Sequence, residues 1–364
     1  MAIYLNNLHI DCYRGISQLD LEEFNHVNIL VGDNNAGKTS VMEIICTLQD
    51  PLSLNVWNEI AAKKSDLYRG VMYYTAYQNI FPIDREKKIQ FNGEFGELGS
   101  LSVCMTAEGY KTSISERELN RLNGFMRTGK QNIEDTYVDT NVLELCIRAN
   151  TQIMEFEIYD FQRRPPRKAI SKLNKNEVGI KTVFIEPRDG LENDFSYMSK
   201  VILDAEYHAQ LIDILREFDP AITSIIAVEE MGKTVYYVRT NNHSSAVPIS
   251  VYGDGLKKAL RMFAVLAFNK GGIVLIDEVE SSIHTSAMNK VFSTLIKWAK
   301  KLNIQLFVST HSREALDTML NCKEEYQKGI NVYTLYRNEQ KNYVRKLECQ
   351  QALDLQNRMG MELR

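Results

Sequence analysis

The run Gly32-Asp-Asn-Asn-Ala-Gly37-Lys38-Thr39 keeps the spacing G-x-x-x-x-G-K-[ST]. Two glycines let a loop curl until its backbone N–H groups face one phosphate. The helix that follows turns its positive end toward the same oxygens. Asn34, Asn35 and Ala36 complete the cradle and Ser40 falls in the first helical turn. Lys38 would reach the β- and γ-phosphates as a point charge, and the Thr39 hydroxyl would ligate Mg²⁺. A second chemical run, Ile273-Val-Leu-Ile276-Asp277-Glu278, is an apolar strand ending in paired acids. Asp277 would hold the same Mg²⁺ through water or Thr39, and Glu278 would polarise an attacking water. The third, Ser309-Thr310-His311-Ser312, closes another apolar strand, so that His311 would sense the γ-phosphate or hold that water. The catalytic candidates are therefore Glu278, His311 and Lys38, with Thr39 and Asp277 as the metal ligands and ATP with Mg²⁺ as the implied cofactors.

These groups work only if their strands share one sheet edge, because ligands of parallel sheets bind outside the carboxyl ends of the strands. Val27–Val31 is predicted as the strand before the glycine loop and Thr39–Leu48 as the helix after it, with Pro51 ending that unit. Gly272–Ile276 and Ile304–Ser309 read as buried parallel strands, while Gly255–Phe268, Ala287–Lys301 and Arg313–Tyr326 read as helices. Short β segments are expected at Ala2–Ile10, Ile16–Leu21, Leu98–Met105, Ile153–Phe161 and Thr182–Glu186. Ile222–Val228 with Thr234–Arg239, and Asn331–Arg337 with Asn342–Leu347, should pair as hairpins. Ser113–Arg127 looks polar and helical, and Phe195–Phe218 reads as one helix. Gly32 and Asp277 lie 245 residues apart, so a sizeable segment is inserted between the halves of one nucleotide-binding unit.

Composition narrows the class. The 364 residues carry 43 Lys+Arg and 47 Asp+Glu, a formal charge of -4 that rules out a uniformly basic nucleic-acid coat. Apolar runs such as Met262–Phe268 are too short to span a bilayer. Asp11 and Arg14 interrupt the amino-terminal apolar stretch, which points away from a secretion signal. Six widely spaced cysteines without a C-x-x-C pair fit reduced thiols in a cytoplasmic protein. The one strong local charge bias is 163–181, with seven basic residues and one acid. It reads as a solvated basic surface and would allow a DNA contact.

Taken together, the motifs resemble the ABC-type ATPases of the RecF, SMC and overcoming-lysogenization-defect kind, and most of all the bacterial stand-alone AAA15/AAA21 proteins. The resemblance runs through Leu8 with Tyr13-Arg14, Gly32–Ser40, Phe184-Ile-Glu-Pro-Arg188 and Ser250-Val-Tyr-Gly253-Asp254-Gly255-Leu-Lys-Lys258. It continues through Leu275–His284 and Gln305–Ser312. It implies an α/β ABC-type P-loop ATPase head: an N-terminal antiparallel β lobe, a RecA-like parallel-sheet core and an inserted helical arm or lobe. The expected division is 1–110 for the first lobe, 111–245 for the insertion and 246–364 for the second lobe, with the outer two forming one head.

The resemblance further implies that Ser250, Gly253, Asp254 and Gly255 form the signature contact to ATP on an opposite subunit. Two chains would then sandwich two nucleotides head to tail, larger assemblies being allowed. Arg14 would lie near the nucleotide and Ser281–His284 would cross the seam. Val251 departs from the family's serine, which bears on turnover more than on binding. Gln78 is the positional candidate for the Q-loop glutamine.

Relatives of this type resemble ATPase components of anti-phage systems such as PARIS, paired with a nuclease or toxin-like effector, for instance of TOPRIM type. About 50 residues follow His311, too few for such an effector, which is expected as a separate partner. The competing expectations are a DNA repair or maintenance ATPase and a structural ATP-dependent interaction protein with little hydrolysis.

Overall fold

A computed structural model describes residues 3–63, 72–83, 86–123, 136–166, 180–187, 195–230, 233–252, 254–281, 283–338 and 341–359. Strands β1 (Asn7–Tyr13) and β2 (Ile16–Leu21) form a hairpin, with Arg14 at φ 50 in its turn. Strand β3 (Val27–Gly32), buried at every position, runs into the glycine loop and helix α1 (Lys38–Thr47). Helices α2 (Leu54–Ala62) and α3 (Tyr73–Gln78) follow. Then come β4 (Lys88–Phe95), β5 (Gly99–Ser115), α4 (Glu116–Asn123), β6 (Tyr137–Ala149) and β7 (Gln152–Tyr159). The order β2-β1-β4-β5-β6-β7 makes an antiparallel sheet whose apolar face covers α1 to α3.

The second sheet gathers strands from distant parts of the chain. After β8 (Thr182–Ile185) come α5 (Phe195–Leu203), α6 (Ala205–Leu215), β9 (Ile222–Glu230), β10 (Lys233–Thr240) and β11 (Val247–Pro248). A 3-10 turn at Ile249–Tyr252 leads into α7 (Asp254–Phe268) and β12 (Ile273–Ile276). Next are α8 (Thr285–Lys301), β13 (Gln305–Ser309), α9 (Arg313–Leu320) and α10 (Glu324–Gln327). The hairpin β14 (Ile330–Asn338) and β15 (Lys341–Glu348) and helix α11 (Cys349–Met359) complete the element order. The sheet order is β15-β14-β3-β13-β12-β8, parallel except for the outermost hairpin.

Its strands alternate between two cores. Val27, Ile29, Val31, Val274 and Ile276 face the helices α7, α8 and α9, while Leu30, Ile273 and Leu275 face α1 and the antiparallel lobe. A strand buried on both faces reads as a near-continuous apolar run. Strand β12 is apolar throughout, β13 is apolar over Leu306–Val308, and β3 is apolar but for Asn28, whose amide bonds the carbonyls of Asn25 and Leu306. The three-stranded sheet β11-β10-β9 is separate. The six cysteines are free thiols.

Several expected elements change. Residue 110, the expected edge of the first lobe, lies in the middle of β5, which pairs with β6 from Val103↔Ala149 to Ser115↔Tyr137. Residues ascribed to an insertion thus supply β6 and β7 to one sheet and β8 to the other. The polar stretch 113–127 continues β5 through Ser115 before α4, so among the described residues this projection is a β-ribbon carrying one short helix. The single helix expected over Phe195–Phe218 breaks at Asp204, whose carboxylate accepts the backbone N–H groups of Glu206 and Tyr207. An aspartate at that position caps a new helix better than it continues an old one. The helix expected over Arg313–Tyr326 likewise splits into α9 and α10.

Candidate nucleotide site

The glycine loop closes through backbone angles that few side chains tolerate. Gly32 has φ 140, Asn35 φ 65 and Gly37 φ 103. At Gly32 a Cβ would sit 2.1 Å from the carbonyl oxygen of Leu335 on β14, so only glycine fits between loop and strand. Gly37 occupies the cap position of α1 and brings no side-chain cap, and the first turn of α1 carries no acid. The leading N–H groups of this helix therefore face the loop uncapped, an arrangement suited to an anion. Asp33, Asn34 and Asn35 are exposed along the loop, Ala36 is buried, and Ser40 is half-buried on α1.

Lys38 is 5% exposed. Its Nζ donates to the carbonyl oxygens of Gly32 at 2.7 Å and Asp33 at 2.9 Å, and lies 3.4 Å from His311 Nδ1. Burial pushes the ammonium below its ordinary pKa, against the opposing pull of Asp277, Asp33, Glu278 and Glu280. The next residue, Thr39, donates its hydroxyl to Asp277 Oδ2 at 2.7 Å. Asp277 is 6% exposed at the end of β12, and its second oxygen accepts the Ser309 hydroxyl from the end of β13. The same Ser309 oxygen accepts the Glu278 N–H at 2.9 Å. Glu278 has φ 46, a turn that lifts it off the strand end. The three chemical runs thus converge at one sheet edge because β3, β13 and β12 are neighbours in that order.

Arg14 lies in the β1–β2 turn and is tied to the loop helix. Its guanidinium pairs with Glu43 on α1, and the Tyr13 hydroxyl donates to the same carboxylate at 3.0 Å. Arg14 Nε and Nη2 are buried with no hydrogen-bond partner among the described residues. Two unsatisfied cationic N–H groups beside the loop helix, with the uncapped start of α1, fit a polyphosphate. The hydroxyl–carboxylate pair Thr39–Asp277 fits Mg²⁺, which is commonly bound by one or two protein carboxylates together with phosphate oxygens and water.

The remaining expected residues are less closely drawn in. Ser250 belongs to the 3-10 turn and Asp254 and Gly255 open α7, while Gly253 lies outside the described residues. Gln78 ends α3, and its described hydrogen bond is a backbone one to Phe81. In the Ser281–His284 segment, His284 caps α8 by accepting the Ser286 N–H. Of the basic segment, Arg163 and Arg164 are exposed, and Arg167, Lys168, Lys172 and Lys175 lie outside the described residues. Lys181 turns inward, donating to the Phe268 carbonyl and lying over its ring, and burial, helped by Lys200, lowers its pKa to about 8.

Three contributors had no expected role: Glu43, and Ser309 and Glu280, which lie inside the motif runs. Glu43 had a visible signal, a lone acid inside the apolar run Val41–Ile45. Ser309 and Glu280 act through strands that are neighbours only in the folded chain.

A family described as "AAA domain, putative AbiEii toxin, Type IV TA system" matches residues 154–317, which hold the Asp277, Glu278 and His311 side of the site. The chain is similar to the ATP/GTP phosphatase of Helicobacter pylori, 22% identical over 339 residues that cover 86% of this chain and 87% of that one. It is also similar to the DNA replication and repair protein RecF of Staphylococcus epidermidis, 25% identical over 86% of this chain and 94% of that one. Among solved structures, the Smc head domain of Pyrococcus furiosus bound to the C-terminal domain of ScpA overlays with a TM-score of 0.49. That comparison has 11% identity and covers 98% of this chain and 100% of the Smc chain. No described helix of the chain is long and apolar enough to cross a membrane.

Proposed function

We propose that this chain binds ATP with Mg²⁺ and hydrolyses it slowly, as a nucleotide-dependent switch. The observation that carries the reading is the meeting of Lys38, Thr39, Asp277 and His311 within hydrogen-bonding range at one sheet edge. Lys38 now rests on loop carbonyls, and a phosphate in the loop offers its ammonium a stronger, charged acceptor. Thr39 and Asp277 would hold Mg²⁺, which would supply charge neutralisation at the phosphate oxygens. Glu278 would take a proton from the attacking water, and His311 would orient that water or the γ-phosphate. Arg14 would meet the nucleotide with its two unpartnered N–H groups.

The wider reading is a homodimer closing head to tail over two ATP molecules, with Ser250, Gly253, Asp254 and Gly255 completing the opposite site. Its output would pass to a separate effector in an anti-phage system in the cytoplasm, a reading that rests on the sequence resemblance; the matching family is described as a putative toxin of a toxin–antitoxin system. Glu278→Gln should bind ATP normally, lower turnover by about 100-fold or more and accumulate a closed dimer on size exclusion with ATP. Wild-type turnover by that variant would sink the assignment.

The RecF likeness favours a second reading, a DNA-binding ATPase using Arg163, Arg164 and the rest of 163–181. Fluorescence anisotropy with duplex DNA decides it: affinity should fall steeply with salt, and no binding at low salt removes it.

A further inference from the structure

We propose that Glu280, two residues beyond Glu278, is the positioning residue for His311. The inference rests on the ATPase reading above and gives Glu280, which lies within the run Leu275–His284, a role of its own. Its Oε1 accepts two backbone N–H groups, His311 at 2.9 Å and Ser312 at 3.1 Å. Its Oε2 is buried without a hydrogen-bond partner among the described residues.

The need for such a residue follows from how β13 ends. Thr310 still bonds β3 through the Leu30 carbonyl, but the chain then leaves the sheet and the next two N–H groups lose their strand partner. The Ser312 N–H is shared between Glu280 and the Thr310 hydroxyl oxygen at 3.0 Å, whereas the half-buried His311 N–H bonds the Glu280 carboxylate, a charge-assisted acceptor. Ser312 is also the cap of α9, its hydroxyl accepting the Ala315 N–H at 3.2 Å, so the carboxylate sits at the positive end of that helix.

The link runs both ways between the two segments. Ser309 holds Asp277 and the Glu278 N–H, its carbonyl accepts the Val279 N–H at 3.0 Å, and Glu280 returns to hold His311 and Ser312. Residues 277–280 and 309–312 are thereby stitched into one body. The backbone position of His311, and with it the approach of Nδ1 to Lys38, is fixed by a side chain from the acid-bearing turn. A displacement of about 1 Å at a catalytic group can cost on the order of 100-fold in rate. Glu280 would thus act on turnover through His311 while leaving the phosphate loop intact.

The test uses the full chain with four variants. Glu280→Ala should lower ATP turnover on the order of 10- to 100-fold with affinity for a fluorescent ATP analogue within about threefold of wild type. Glu280→Gln keeps the accepting oxygen and should recover most of the rate. The double variant Glu280→Ala with His311→Ala should turn over no more slowly than His311→Ala alone, because the two act as one unit. Losses that multiply in the double variant, or an Ala variant with wild-type turnover, overturn the proposal.

Histidine-labelled NMR of the nucleotide-free chain gives a readout that does not depend on hydrolysis. The His311 imidazole signal, identified by its absence in His311→Ala, should shift or broaden in Glu280→Ala and stay in place in Glu280→Gln. An unmoved signal in Glu280→Ala refutes the clamp. If wild type binds ATP without turnover, the ATPase reading fails while this signal still decides the role of Glu280.

Discussion

Replacing three glycines with alanine, one at a time, should give a graded loss set by what each added methyl meets. At Gly32 the methyl lands 2.1 Å from the Leu335 carbonyl, where ordinary contact begins at 3.4 Å, so strand and loop must part by more than 1 Å. That separation strains the parallel pairs Val31↔Thr334 and Gly32↔Leu335. The φ of 140 adds about 1–3 kcal/mol of backbone strain, and overpacking adds about another 1–3 kcal/mol. Gly32→Ala should therefore lose roughly 2–6 kcal/mol, a large share of the 5–15 kcal/mol of a whole domain. Gly37→Ala meets Ile16 Cδ1 at 3.0 Å and Cγ1 at 3.1 Å, side-chain atoms that need give by only a few tenths of an ångström, so the backbone strain of about 1–3 kcal/mol is the larger part. Gly15→Ala finds ordinary contact at 3.6 Å from Arg337 and should stay within about 0.5 kcal/mol of wild type. Urea unfolding measures all three, and titration with a fluorescent ATP analogue should follow the same order. A Gly32→Ala chain as stable as Gly15→Ala would refute the argument from contact geometry.

Two further outcomes follow from buried or paired groups. Ser309→Ala removes the hydroxyl shared by Asp277 and the Glu278 N–H, leaving two buried polar groups short of a partner. It should cost about 1–3 kcal/mol in urea unfolding and weaken Mg²⁺-dependent nucleotide binding, while Ser309→Thr should retain most of both. His9 lies between Asp20 and Asp11, and its hydrogen bond to Asp20 raises its pKa above 6.5 more than burial lowers it. Because the folded pKa is the higher one, its stabilisation is full below about pH 6.5 and is lost as pH rises through the folded value. The melting-temperature gap between wild type and His9→Gln should thus be wider near pH 5.5 than near pH 8.5, and a gap that widens with pH counts against the pairing.

The site was legible where chemistry is written in consecutive residues. Gly32–Thr39, Asp277-Glu278 and His311 each sit at the end of an apolar run, and such runs mark buried parallel strands without any partner being known. What the residues could not reveal was adjacency. Ser309 and Glu280 look like an ordinary serine and a third acid until β12 and β13 lie side by side. Local patterning also misleads where it fades. Leu101, Val103, Met105 and Ala107 alternate with exposed residues and announce β5, but from Glu108 to Lys111 the strand is exposed on both faces. With no face to bury, the apolar period vanishes, and the following helix-forming residues of α4 dominate the reading of the stretch. The cap at Asp204 was similarly hidden inside a continuous amphipathic pattern.

The neighbours of β3 bear on how the chain is made. Both strands flanking it, β13 and β14, emerge from the ribosome only after roughly 270 to 300 further residues. At about 5–20 residues per second that is a wait of roughly 15–60 s. Throughout that time an apolar strand and its loop have no sheet to join. A prematurely terminated chain carries the complete glycine motif and none of its walls. Nucleotide binding thus becomes a property of the finished product alone, and the unfinished one is a natural client for chaperones.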